Sequence, residues 1–143
     1  NLLDITVFPY KTMFNWVRTN LLLHRPLSEE PAMFEQEIYE ALKRGNTYIC
    51  NYAFGEPENF LFYLENSPEE VALPGDDFTL SNHSTLSIQL SQKERCRVII
   101  NGQMQRELIT DHYQMPVSEP GFYRLEVWKK NRPWIFTNPI WAE

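Results

Sequence analysis

A change of hydrophobic period near Gly45 divides this chain into two unlike parts. Before it, Phe14, Val17 and Leu21 recur at helical spacing within Thr12 to Leu23, and Phe34, Ile38, Ala41 and Leu42 do so from Pro31 to Arg44. Two amphipathic helices are predicted. Ser28 is the expected N-cap of the second, with Glu29 and Glu30 in its first turn, Lys43 and Arg44 in its last, and Gly45 just past its end. After Gly45 the period drops to two, in short runs rich in aromatic and branched residues. The expected strands are Thr47 to Ala53, Asn59 to Glu65, Asp77 to Leu80, Thr85 to Leu90, Arg95 to Ile100, Gln103 to Ile109, Gly121 to Lys130 and Pro133 to Thr137. Leu86, Ile88 and Leu90 alternate with Ser87 and Gln89, and Tyr123, Leu125 and Val127 with Arg124 and Glu126, as on a sheet with one buried face. Asn101-Gly102 suits a two-residue hairpin turn whose central positions both need positive φ, and Gly75 suits the positive-φ position of a type II turn in Leu73-Pro74-Gly75-Asp76.

The resulting expectation is a mainly β chain with an N-terminal α-helical arm at residues 1–45 and an antiparallel, immunoglobulin-like β-sandwich at residues 46–143. At 143 residues the chain is of single-domain size, and it carries no internal repeat. Thirteen Lys and Arg against nineteen Asp and Glu leave a net charge of −6, the wrong sign for affinity built on phosphate neutralisation, so no nucleic-acid partner is expected. No apolar run approaches the ~20 residues that span a bilayer, so no membrane partner is expected either. The start of the chain shows no basic segment followed by an apolar one, and the compartment stays open, with the cytoplasm slightly favoured. Cys50 and Cys96 are too few for a disulfide scaffold and read as small apolar side chains on strands; whether they pair is open.

Candidate chemistry is sparse. The three histidines, His24, His83 and His112, are scattered, with no His-x-His, His-Glu-x-x-His or Cys-x-x-Cys spacing that would announce a metal site. Asp111-His112 reads as part of a solvated loop, and His24 as a cation at the end of the first helix. Asp76-Asp77 alone lacks the six to eight oxygens that calcium takes. Trp128, Trp134 and Trp141 could form a platform for sugar faces, although packing at a domain or sheet junction explains them more cheaply.

Two stretches are more specific. Glu119-Pro120-Gly121-Phe122-Tyr123-Arg124-Leu125-Glu126-Val127, followed by Arg132-Pro133-Trp134-Ile135-Phe136-Thr137-Asn138-Pro139-Ile140-Trp141, resembles the C-terminal ending of bacterial PHP-domain metal-dependent hydrolases, with Thr137 where Ser is common. The Trp16-Val17-Arg18-Thr19 helix, the Tyr39 to Tyr48 helix-to-strand junction and the Leu73-Pro74-Gly75-Asp76 turn are similar in the same order. The resemblance implies a segment downstream of a catalytic barrel, whose His and Asp ligands match no position here, so no catalytic, cofactor or metal residue is carried over. Asn1 in place of Met fits such a truncation.

The expectation is therefore a noncatalytic accessory segment of a PHP-type phosphoesterase or hydrolase. Its partner would be its own upstream catalytic domain, and divalent metals such as Zn, Mn or Fe would belong to that domain. The arm carries apolar side chains on more than one helix face, so the isolated chain is expected either to form a homodimer or to leave the arm partly disordered. The alternative is a β-sandwich module that binds carbohydrate or another ligand through Trp128, Trp134 and Trp141.

Overall fold

The computed structural model describes residues 10–143, with side chains from residue 13 onward. The described residues are mainly β, with two α-helices and ten strands joined in one hydrogen-bonded sheet. The first helix is shorter than the period suggests. Helix α1 covers Tyr10–Trp16, and Val17–Leu21 then forms strand β1, antiparallel to β2 (Thr47–Asn51), with Val17 opposite Asn51 and Leu21 opposite Thr47. The apolar spacing through Leu23 is thus not helical. Branched Val17 and Thr19 favour the extended backbone, and the open edge of β2 supplies the hydrogen bonds that a helix would otherwise make.

Helix α2 covers Pro31–Arg44, as the spacing predicts, and Gly45 closes it at φ 79° with its N–H turned back on the last turn. Its start differs from expectation. The N-cap is Glu30, without a side-chain cap, and Pro31 opens the helix, so Glu29 and Glu30 precede the first turn. Ser28 instead accepts from the Glu30 N–H, and its own N–H donates to Glu37 Oε2.

Past Gly45 the strands are β3 (Leu61–Ser67), β4 (Glu70–Ala72), β5 (Asp77–Phe78), β6 (Thr85–Ile100), β7 (Gln103–Pro116), β8 (Gly121–Lys129), β9 (Arg132–Thr137) and β10 (Ile140–Ala142). The two expected strands between Thr85 and Ile100 are one, and β7 runs on to Pro116, so Asp111 and His112 stand in a strand and not in a loop. Strand β2 stops at Asn51, whose side chain accepts from the Ala53 N–H and caps a short 3₁₀ turn. Strands β4 and β10 are too short to show a period.

Pairing is antiparallel throughout except for β5 with β10. Along its length β6 has β7 on one side; on the other it pairs with β3 at residues 85–89 and with β8 at residues 95–100. Between those halves, from Gln89–His112 to Glu94–Thr110, β6 advances five residues while β7 advances two, an irregularity of the kind that bends a strand. One buried cluster draws on both halves: Phe62, Leu64, Leu86 and Ile88 from the first, Val98, Leu125, Val127 and Ile135 from the second. Asn101 (φ 52°) and Gly102 (φ 78°) turn β6 into β7 with both central residues at positive φ. Among the described residues no helix is long and apolar enough to cross a membrane.

Candidate functional site

Three segments that the sequence singles out meet at the end of α2. Gly75, at φ 95°, lies so close to Gly45 that a Cβ there would stand 2.4 Å from the Gly45 carbonyl carbon, so the Gly75 turn needs glycine for contact as well as for φ. The Gly75 N–H donates to Pro139 O at 2.8 Å. Asn46, 3% exposed, sends its Nδ2 to Pro74 O (2.9 Å) and to Asp76 Oδ1 (2.7 Å). Asn138 Nδ2 donates to Gly45 O (2.8 Å) and Thr47 Oγ1 (3.0 Å). The Asn138-Pro139 step thereby ties the end of β9 to the end of α2, and the amides of buried Asn46 and exposed Asn138 supply donors to the Pro74 and Gly45 carbonyls.

Asp76 is the hub of this junction. Its Oδ2 lies 2.7 Å from His24 Nε2 and accepts from the Leu73 N–H at 2.9 Å. A carboxylate only accepts, so His24 Nε2 is the donor, and the ring is oriented by a residue 52 positions away. This overturns the helix-end role expected for His24, since no helix ends there. His24 and Arg44 line two open clefts, of about 220 Å³ against α2 and about 450 Å³ against Ala72, Gly75 and Asp77. In the first, Arg25 pairs with Glu37 at 2.9 Å. The junction thus offers one oriented imidazole and one guanidinium, a set that binds and orients more readily than it reacts. Among the described residues, no group of three or more His, Cys, Asp and Glu side chains is placed to hold a metal ion.

The tryptophans do not share one platform. Trp134 is 2% exposed, its Nε1 donating to Gly55 O at 3.0 Å and its ring lying 4.4 Å from Lys129 Nζ. Trp128, half-buried, lies under the Arg97 guanidinium at 4.6 Å and edge-on to Phe136 at 6.1 Å. Trp141 is 45% exposed and packs edge-to-face on Phe122, with centroids 4.2 Å apart. Six residues of β8 separate Phe122 from Trp128, about 20 Å of strand. Between them Arg124 Nη2 pairs with Glu126 Oε1 at 2.9 Å on the same outward face, as the alternation predicts.

Cys50 and Cys96 are free and buried. Burial pushes the Cys50 thiol up to about 11, with Lys129 pulling the other way, and burial with help from Glu94 pushes Cys96 up to about 12. Both are neutral thiols near pH 7, the form that neither attacks nor ligates. Burial likewise raises the phenols of Tyr48 and Tyr123, and Tyr123 donates to Glu119 O at 2.6 Å.

Comparison of the chain with family models, with curated proteins and with solved structures returns no match. Sequence reasoning missed Phe122 as the neighbour of Trp141, although the buried Tyr123-Leu125-Val127 series already turns Phe122 outward. It also missed the His24–Asp76 contact, for which no local signal exists.

Proposed function

We propose that this chain is a noncatalytic C-terminal accessory segment of a PHP-type metal-dependent phosphoesterase or hydrolase, its arm packed against the catalytic barrel and its β region an immunoglobulin-like sandwich that orients the assembly. The observation that carries this reading is the distribution of unburied apolar side chains. Among the described residues, ten of the fifteen exposed large hydrophobics fall between Met13 and Ile49, including Phe14, Trp16, Tyr39 and Leu42. A face of that kind marks a contact with another body. The meeting of the Gly45-Asn46, Gly75-Asp76 and Asn138-Pro139 segments supports the resemblance, because spaced segments of one pattern are expected to meet where they have a common task. The irregular pairing of β6 with β7, with both halves of β6 contributing to one buried cluster, supports the sandwich.

Divalent ions bound in such a parent domain would supply water activation and stabilisation of charge on a leaving oxygen. The residues described here do not form a ligand set for them, and no step of that reaction is assigned to this chain. The test is to read the coding sequence upstream of Asn1 and to assay both products. A His-x-His and Asp-x-His series, with bis(p-nitrophenyl) phosphate turnover by the longer protein and none by residues 1–143, is the expected outcome. Turnover by the 143 residues alone with stoichiometric metal would overturn the reading. So would an upstream sequence without those ligands.

A further inference from the structure

Trp141 and Phe122 occupy the middle of a row that crosses four adjacent elements. Trp141 is in register with Asp77 on one side and with Phe122 on the other, and beyond Phe122 the Asn101 side chain accepts from the Phe122 N–H at 3.0 Å. All four residues are exposed. Gly121 makes the last step: a Cβ there would come within 2.7 Å of the Asn101 amide, so only glycine lets that side chain lie against β8. The Asn101 Oδ1 is used by the backbone, leaving Nδ2 as a donor, and the Asp77 carboxylate makes no hydrogen bond or ion pair with the described residues. An edge-to-face aromatic pair spends the face of only one ring on its neighbour, so a ring face is left for a ligand.

We propose that Asp77, Trp141, Phe122 and Asn101 form a binding row for a neutral oligosaccharide. A sugar ring presents apolar C–H groups on its face and hydroxyls on its rim. The row presents aromatic rings in its middle, an acceptor at one end and a donor at the other. Three strand spacings make it about 14 Å long, the reach of a short chain of sugars and more than one ring fills. The row has no cation, and the net charge of −6 repels anionic ligands. It runs across the strands, at right angles to the course of a peptide added as a strand. This site is separate from the arm and does not depend on the docking reading.

The test is a titration of the whole chain with cello-, malto-, xylo- and chito-oligosaccharides, followed by the amide and indole NMR signals. Saturable shifts at the Trp141 indole and the Phe122 amide are expected with at least one series. Trp141→Ala and Phe122→Ala should each weaken that binding at least about tenfold while keeping the wild-type melting temperature, as both side chains are nearly half exposed. Asp77→Asn, which removes only a charge at an exposed position, should weaken it several-fold and carries the test if an aromatic variant fails to fold. No shift with any series up to about 10 mM overturns the proposal, as do shifts centred on Trp128 or Trp134, or undiminished binding by both Trp141→Ala and Asp77→Asn. Protection of the Trp141 indole by an upstream protein segment, with no response to sugars, would reassign the row to a protein contact and overturn it as well.

Discussion

Along β8 the alternate residues Tyr123, Leu125 and Val127 are almost fully buried, whereas along the fourteen residues of α2 only Ala41 is buried. Both elements are amphipathic in sequence. The inward side chains of the strand join one buried cluster, which Phe62, Leu86 and Ile135 from other strands complete. The helix packs against β1, itself an edge strand, and leaves Met33, Phe34, Tyr39 and Leu42 exposed. The contrast teaches that amphipathicity marks a surface to be covered without saying what covers it. In the β region the chain covers itself. In the arm it has not done so among the described residues.

The sharpest way to break this contrast is to empty matched aromatic positions. Trp134→Ala removes a core indole and should cost roughly 3–5 kcal/mol in urea unfolding of the isolated chain. Phe14→Ala removes a side chain that is 75% exposed and should stay within about 0.5 kcal/mol. Comparable losses at the two positions would mean that the arm is packed as tightly as the sheet.

The junction between the regions gives the next effects. Gly75→Ala should cost about 1–3 kcal/mol through backbone strain alone, with the clash on Gly45 adding to it, and a melting temperature like wild type would show that the two turns can part. Asp76→Ala strips an acceptor from the Leu73 N–H, from buried Asn46 and from His24, and should cost about 1–3 kcal/mol. His24→Ala should cost under about 1 kcal/mol, since His24 is exposed and leaves Asp76 with two donors. Equal costs would locate the strength of the junction in the imidazole instead of the carboxylate.

A further effect is confined to high pH. Both buried thiols have folded-state values raised above the ordinary thiol range, so their protonated forms favour the folded state. That contribution is complete below the unfolded thiol value and is lost as pH climbs toward about 11 for Cys50 and about 12 for Cys96. Stability should fall across that window, and less steeply in the double Cys50→Ala, Cys96→Ala variant. An unchanged slope in pH-dependent urea unfolding would assign the alkaline loss to Tyr48 and Tyr123, whose raised values have the same sign.

Features with short-range causes were legible from residue order. Helix α2 and its glycine stop depend on neighbours within a few positions, as do the Asn101-Gly102 turn and the inward set of β8. The sequence by itself therefore determined a mainly β chain with a helix before Gly45, because the period of apolar residues and the positive-φ turns are local properties. Tertiary structure decided the rest. Val17–Leu21 is a strand because β2 offers an edge, Asp111 and His112 lie in β7 because β6 continues beside them, and β10 exists only between β5 and β8. His24 meets Asp76, and Trp141 meets Phe122, across separations at which residue order carries no distance information. The same apolar spacing fits a helix or a strand until a partner supplies the hydrogen bonds, and that choice is made by pairing, not by propensity.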